Sequence, residues 1–278
     1  IKTTQDVILL EGLNQKGDLF RMPTISGTDI FSGKKNEVIS LGASTADLST
    51  NNTRQIFAKV PGLSIWENDG SGIQTSIATR GLSPNRSWEF NVRMDGYDLT
   101  PDPMGYPEAY YTPPMEVVDR IEIIRGASSL QYGPQFGGLM NFVLRKPDLS
   151  TKLVVESQNT TGNNGLFSSF NYVGGTSGRL SYTTYYQKRL GNGWRQNAYF
   201  NTDHSHGELS YALSNKLKVG AQLTYMYTQS QQAGGLTDTE FGQNAQQSKR
   251  ARNWFSNPWF IYALTADYVI NADSKLSL

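Results

Sequence analysis

The feature that most constrains the fold is a two-residue alternation in the second half of the chain. Apolar residues recur at every second position of two long segments, and the residues between them are mostly polar. They stand at Leu217, Val219, Ala221, Leu223, Tyr225 and Tyr227, and again at Phe260, Tyr262, Leu264, Ala266, Tyr268 and Ile270. Because successive side chains of a β-strand point to opposite faces, this period predicts strands with one apolar and one polar face.

The connections between these strands alternate between short turns and long loops. Turns are predicted at 174–178, 214–216 and 271–274, and longer loops at 190–196 and 230–257. This alternation is typical of outer-membrane barrels, whose long loops face the cell exterior. A soluble antiparallel sandwich also alternates and is the competing interpretation. Tyrosines at strand ends favour the membrane, because amphipathic rings prefer the interface between hydrocarbon and water.

We therefore predict a transmembrane antiparallel β-barrel. About seven of its strands are expected in this chain, whereas a plugged barrel needs about 22. An open sheet edge in lipid leaves backbone groups unpaired, so the chain is expected to be the first part of a longer barrel.

The first half of the chain has irregular apolar spacing, which predicts a compact α+β unit. A helix is predicted with Ser49 or Thr50 as N-cap and with its end at Val60, before Pro61 and Gly62. Strands are predicted at 63–66, 76–80, 89–94 and 120–125. The segment 101–114 is rich in proline and aromatic residues, and it is expected to form a long, ordered surface loop.

Composition excludes several classes of function. Lys plus Arg (25) nearly balance Asp plus Glu (24), so the chain lacks the positive charge that a nucleic-acid partner requires. The sequence has no cysteine, which excludes disulfides, thiolate metal sites and cysteine nucleophiles. His204, His206 and Glu208 share one strand face, but no fourth ligand is visible and we assign no metal. No nucleophile stands in a recognisable motif, so we predict no enzymatic activity.

Five segments of the first half resemble the plug of TonB-dependent receptors. They are Val60-Pro-Gly-Leu-Ser-Ile, Arg80-Gly-Leu, Met94-Asp-Gly-Tyr, Val118-Asp-Arg-Ile-Glu-Ile-Ile-Arg-Gly-Ala and Gln131-Tyr-Gly-Pro-Gln-Phe-Gly-Gly-Leu-Met-Asn-Phe-Val. The second half resembles the ferric citrate receptor branch of that family. The matching segments there are Gly193-Trp-Arg-Gln-Asn, Ala233-Gly-Gly-Leu-Thr and the arginine-rich stretch before Trp254.

The resemblance implies a plug inside a barrel of the Gram-negative outer membrane, with the plug reaching the periplasm. It divides the chain into a coupling segment and linker (1–35), a plug (36–147) and the first barrel strands (148–278). The expected function is active import of a ferric chelate, either ferric citrate or a similar siderophore. Iron would then be present only as part of the cargo, without a resident cofactor. Haem, cobalamin or an oligosaccharide is an alternative cargo, and an outer-membrane structural or interaction protein that keeps the plug is a further alternative.

An apolar run near the start of the chain resembles the TonB box. It comprises Asp6, Val7, Ile8, Leu9, Leu10 and Glu11. An extended segment of this kind can add as a strand to the sheet edge of a partner. The implied partner is TonB, with its inner-membrane energising complex. The alternative is a first strand packed inside the plug.

The ligand is expected at the outward apex of the plug, in the loops 68–72, 83–88 and 102–111. Candidate contacts are Ser71, Asn85, Arg86, Trp88, Tyr106 and Tyr110. The planar guanidinium of Arg86 suits an anionic chelate, because it can pair with a carboxylate through two hydrogen bonds. The resemblance places Ser71 where a plug hydroxyl contacts the ligand. A role in loop packing is the alternative for each residue.

A charge network between plug and barrel wall is also expected. Its members are Arg80, Arg120, Glu122 and Arg125. Polar contacts would let the plug dock firmly and still shift. A solvated strand face is the competing interpretation.

Overall fold

A computed structural model describes residues 19–23, 25–26, 29–31, 36–42, 46–67, 70–72, 74–100, 108–133, 135–271 and 274–278. The chain forms two compact units. The first contains residues up to 68 together with 74–145, and the second contains 69–73 and the residues from 146 onward.

The first unit is built mainly from short strands. They are β1 (Leu19–Phe20), β2 (Ile25–Ser26), β3 (Asp29–Ile30), β4 (Asn36–Ser40), β5 (Leu63–Trp66), β6 (Ser76–Thr79), β7 (Phe90–Met94), β8 (Tyr97–Asp98), β9 (Val118–Ile124) and β10 (Gly138–Leu144). A short helix, α1 (Thr53–Phe57), precedes β5. The strands predicted in this half are therefore confirmed to within two residues at each end.

Six of these strands form one sheet in the order β1-β4-β9-β10-β7-β8. In its centre β10 runs antiparallel to β9 and parallel to β7, so that Met140 pairs with both Ile123 and Val92. The side chains of Ile121, Ile123 and Met140 are fully buried. Since positions 121 and 123 share one face and Ile124 on the other face is buried as well, the centre of this sheet is covered on both sides.

Two glycines let β10 begin between its neighbours. A Cβ at Gly137 would lie 2.5 Å from the carbonyl oxygen of Glu89, and one at Gly138 would lie 2.5 Å from the carbonyl oxygen of Ile124. Gly138 also has a φ of 126°. Only glycine combines this backbone conformation with so close an approach of two backbones.

The start of α1 differs from the prediction. Asn52 is the N-cap, and its Oδ1 accepts a hydrogen bond from the Gln55 amide at 3.0 Å. Ser49 and Thr50, the predicted caps, lie in a preceding 3₁₀ turn that Asp47 caps. Asn51, with a φ of 50°, separates this turn from the helix. The helix also ends at Phe57 rather than Val60.

The segment predicted as a surface loop is mostly buried over its described part. Residues 101–107 lie outside the described residues, but Ala109, Tyr111 and Thr112 have no exposed area. Asn51 holds the end of the segment by accepting a hydrogen bond from the Met115 amide at 3.0 Å. Burial of this irregular backbone costs less free energy than usual, in part because Pro113 and Pro114 have no N–H group that needs a hydrogen-bond partner.

The second unit is an antiparallel meander. Its strands are β11 (Val154–Gly162), β12 (Leu166–Ser177), β13 (Leu180–Gly191), β14 (Phe200–Ala212), β15 (Leu217–Gln231), β16 (Trp254–Asn271) and β17 (Ser274–Ser277), with the helix α2 (Asp238–Gln243) between β15 and β16. The seven strands follow one another in sequence order, as predicted. The turn predicted at 174–178 is shorter than expected, because β12 extends to Ser177 and only two residues separate it from β13.

The polarity of this sheet is the reverse of that in a soluble sandwich. On β15, Thr224, Thr228 and Ser230 are buried on one face together with a single apolar residue, Met226, whereas Leu223 on the other face is exposed. The same reversal extends to neighbouring strands. Further buried polar residues are Ser168, Thr183, Gln187, Arg189, Thr202, His204 and His206, and further exposed apolar residues are Leu209, Phe260, Tyr262 and Leu264. An outward apolar face and an inward polar face are the pattern of a membrane-spanning barrel wall.

The helices of the described residues are short. None of them is long and apolar enough to cross a membrane.

Candidate ligand site

The loop 83–88 presents the predicted ligand residues on a constrained backbone. Arg86 and Ser87 have φ values of 51° and 52°, a conformation that residues other than glycine adopt at a cost. The buried Ser87 hydroxyl accepts the Ile77 amide at 3.0 Å and donates to the Thr75 carbonyl at 2.6 Å. These two bonds fix the loop against the start of β6.

Arg86 is held in a cluster with Glu108 and Tyr110. Its Nη1 lies 2.8 Å from Glu108 Oε2 and 3.3 Å from the Tyr110 hydroxyl oxygen. The Tyr110 hydroxyl also donates to Glu108 Oε2, and the guanidinium carbon lies 5.7 Å from the centre of the tyrosine ring. In addition, the Ala109 amide donates to the Arg86 carbonyl at 3.2 Å. Side chain and backbone therefore join the loop 83–88 to the segment 108–110.

Arg86 is charged at neutral pH, and the cluster stabilises that charge further. Burial lowers the pKa of the guanidinium, but the hydrogen bond and the negative charge of Glu108, together with Tyr110, outweigh burial and raise the pKa above its ordinary value. The Arg86 side chain remains 40% exposed, whereas that of Glu108 is 17% exposed. A permanent positive charge is thus open to solvent on one side and neutralised on the other.

The other predicted ligand residues lie in different places. Asn85 and Trp88 are exposed on the same loop as Arg86. Ser71 belongs to the second unit and is fully buried, so its hydroxyl is not open to a ligand in this structure. Tyr106 lies outside the described residues. The assignment of these residues to a ligand stays a prediction.

Two residues of the expected charge network pair with each other, and the other two have partners outside the network but within the first unit. Arg120 pairs with Glu122 at 2.9 Å, while Arg125 pairs with Glu37. Arg80 is exposed and donates to the Phe136 carbonyl at 3.4 Å. Glu122 and Arg125 are three positions apart on or beside β9, and their side chains point to opposite faces, so they do not meet. Their role toward the barrel wall stays a prediction.

The two histidines lie on the buried polar face of β14. His206 Nδ1 is 2.8 Å from the Thr224 hydroxyl, and its ring stacks on Tyr185 with centres 5.1 Å apart. Within the described residues, no group of three or more His, Cys, Asp or Glu side chains is arranged to hold a metal ion. The predicted coupling segment, residues 6–11, lies outside the described residues.

Comparison with known proteins identifies the first unit. Residues 38–139 match the family model of the TonB-dependent receptor plug domain. This stretch is a TonB-dependent receptor plug domain. The family is one of receptors rather than enzymes. Glu108 also lies within the matched residues. It contacts the predicted Arg86, and the sequence analysis did not identify it.

Solved structures of several receptors share the fold of both units. The ferric citrate transporter FecA in its unliganded form is 24% identical with a TM-score of 0.72, and the match covers 85% of this chain and 37% of that one. The ferric yersiniabactin uptake receptor FyuA from Yersinia pestis is 16% identical with a TM-score of 0.66, covering 85% of this chain and 38% of that one. The copper transporter OprC is 13% identical with a TM-score of 0.63, covering 87% and 36%.

These matches establish the fold, and the chain spans 36 to 38% of the length of these three solved structures. The predicted plug domain and antiparallel barrel strands are confirmed. Plug domain and barrel fold together indicate a protein of the Gram-negative outer membrane, as the sequence predicted.

Proposed function

We propose that the protein is an active outer-membrane transporter that imports a ferric chelate, either ferric citrate or a similar siderophore. The observation that carries this proposal is a TonB-dependent receptor plug domain at 38–139, followed in the same chain by a sheet with an apolar outward face. The solved structures with this fold include receptors for ferric citrate, ferric enterobactin and ferric yersiniabactin, which supports an iron chelate as the cargo.

Arg86 is the residue that would give the site its preference for a negatively charged cargo. A guanidinium has five N–H donors and pairs with planar carboxylates through two of them. Arg86 is half-exposed and remains charged, and exposed Asn85 and Trp88 flank it on the same loop. An anionic chelate can therefore combine an ion pair with amide hydrogen bonds and contact with an indole ring. Tyr106 and Tyr110 complete the proposed contact set, which leaves out Ser71 because its hydroxyl is buried in this structure.

The energy for import would come through residues 6–11. We assign TonB, with its inner-membrane complex, as the partner of this segment. A linker would follow it to residue 35, then the plug at 36–147 and the barrel strands from 148. Strand addition suits this role, because a row of main-chain hydrogen bonds resists pulling.

A different cargo is the second candidate. The copper transporter OprC has the same fold, so the fold by itself is compatible with cargo other than a siderophore. Arg86 favours an anionic chelate over a free cation, because a guanidinium offers only N–H donors and cannot coordinate a metal ion.

The test is binding of ferric citrate, other iron chelates, haem, cobalamin, oligosaccharides and copper to the full-length protein in detergent. Arg86→Ala should weaken binding of the anionic chelate by about tenfold or more, the scale of a lost charge-assisted hydrogen bond. Arg179→Ala, in the exposed turn between β12 and β13, is the matched control and should bind as the unmodified protein does. Saturable binding of a sugar, haem or copper alone would contradict the proposed cargo.

A further inference from the structure

We propose that Glu108 is a specificity-determining residue that occupies Arg86 until the carboxylate of an anionic cargo displaces it. This inference rests on the proposed function of Arg86 as a ligand residue. Glu108 would compete with the cargo for the Arg86 guanidinium. The strength of the Arg86–Glu108 ion pair would set both the affinity of the site and its preference for charged chelates.

The geometry leaves part of the guanidinium open. The contacts from Arg86 to Glu108 and Tyr110 are both made by Nη1. Within the described part of the chain, the Nε and Nη2 atoms of Arg86 have no hydrogen-bond partner, and the side chain is 40% exposed. A carboxylate arriving from solvent can therefore reach these nitrogens before Glu108 leaves.

Charge makes this arrangement a competition rather than a simple addition. While Glu108 is paired, the positive charge of Arg86 is nearly cancelled at a distance, so an anionic chelate gains little attraction. Two carboxylates on one guanidinium also repel each other, and the repulsion is strong where burial lowers the effective dielectric constant. Stable binding of an anion is then expected to push Glu108 away from Nη1.

Tyr110 gives Glu108 a second donor. Its hydroxyl donates to the same Oε2 atom that pairs with Arg86. The carboxylate therefore keeps a hydrogen-bond partner when it leaves the guanidinium, which lowers the cost of the exchange. A ring that also lies against the guanidinium, with 5.7 Å from the guanidinium carbon to the ring centre, holds Arg86 in position during the exchange.

Displacement would loosen the segment that follows Glu108. The Ala109 amide donates to the Arg86 carbonyl at 3.2 Å, directly beside the ion pair. When Glu108 leaves Arg86, this backbone bond loses the support of the neighbouring side chains. Hydrogen exchange at Ala109 is therefore expected to become faster when an anionic chelate binds.

The test compares Glu108→Gln, Glu108→Asp and Tyr110→Phe in the full-length protein in detergent, with ferric citrate and an uncharged iron chelate as the two probes. Glu108→Gln removes the competing charge and should tighten ferric citrate binding about tenfold, while binding of the uncharged probe stays unchanged. Glu108→Asp keeps the charge and should remain within about threefold of the unmodified protein. Tyr110→Phe removes the second donor and should weaken binding of ferric citrate more than binding of the uncharged probe.

The gain in affinity separates this role from a structural one. If Glu108 only stabilises the loop, Glu108→Gln should weaken both probes together, and that result would overturn the inference. Tighter binding of ferric citrate to Glu108→Gln with an unchanged melting temperature would support it. If the unmodified protein binds ferric citrate but Glu108→Gln binds it equally well, the inference fails and the proposed function stands. If the unmodified protein binds no anionic chelate, both fail.

Discussion

The two units of the chain use β-strands with opposite polarity. In the plug domain the strands bury isoleucine, phenylalanine and methionine, as in Ile121, Phe142 and Met94. In the second unit the strands bury mainly hydroxyl, amide, imidazole and guanidinium groups, with a few apolar side chains such as Phe170 and Met226, and they expose apolar side chains such as Leu264. A β-strand pattern therefore does not by itself say which face is inside, because the surrounding solvent decides it.

The difference has an energetic basis. The plug domain gains stability by removing apolar side chains from water, in the usual way. The sheet of the second unit exposes its apolar side chains, and every strand from β12 to β16 is hydrogen-bonded on both sides. In lipid, an unpaired backbone group costs several kcal/mol, so continuous pairing is the condition for stability.

The largest expected effect is in the core of the plug domain. Phe142→Ala should destabilise the plug by about 3–5 kcal/mol, since it removes a fully buried ring and leaves a cavity. Phe260→Ala is the matched change on the exposed face of the sheet and should cost much less. Native-state hydrogen exchange at β9 and β10 measures the first, and urea titration in vesicles measures the second. Equal losses of stability in the two variants would contradict the difference in polarity between the units.

A charge on the outward face tests the reversed polarity. Leu264→Arg should cost about 2–4 kcal/mol if Leu264, which is 81% exposed, faces the middle of a bilayer. Leu130→Arg is the control in the plug domain, where a leucine with 62% exposure should not meet hydrocarbon and the change should cost much less. Both are measured as urea-dependent folding of the full-length protein into phospholipid vesicles. A neutral Leu264→Arg would mean that the sheet faces water.

A buried hydroxyl pair tests the inward face. The hydroxyl oxygens of Thr202 and Thr228 lie 3.0 Å apart on neighbouring strands, and both residues are buried. Thr228→Val should cost about 1–3 kcal/mol, because the Thr202 hydroxyl loses its partner. Adding Thr202→Val should recover part of this loss in the same vesicle assay. A double variant that loses the sum of both single effects would show that the pair is not coupled.

The smallest expected effect comes from the helix caps. Asn52→Ala should destabilise the plug domain by about 1 kcal/mol, because Asn52 caps α1, whose Ile56 and Phe57 are buried. Thr237→Ala removes the cap of α2, which buries no residue, and should leave global stability unchanged. Thermal unfolding compares the two. A larger loss for Thr237→Ala would contradict the packing described for these helices.

The sequence predicts those strands whose pattern depends only on residues that are neighbours along the chain. Strands β15 and β16 follow from period two alone, and β5 follows from a short apolar run after Pro61 and Gly62. The helix start was misplaced because polar residues fill 49–53, and contacts of Asn51 with Pro113 and Met115 decide among them.

Long-range pairs were beyond the reach of the sequence. Glu108 lies 22 positions from Arg86, and Glu37 lies 88 positions from Arg125. No local pattern joins such residues, and their pairing appears only when the fold brings their strands and loops together. The sequence thus suggests candidate ligand residues by type, and their role stays a prediction, but no local pattern indicates the carboxylate that pairs with Arg86.

The measurement that tests the account most directly is energised uptake of radiolabelled ferric citrate by cells that carry the full-length protein. Ile8→Pro should abolish uptake and leave surface binding intact, because proline removes a backbone N–H from the proposed coupling strand. Ile8→Val is the matched control and should import normally. Uptake that persists in Ile8→Pro, or loss of binding together with uptake, would contradict a transporter energised through this segment.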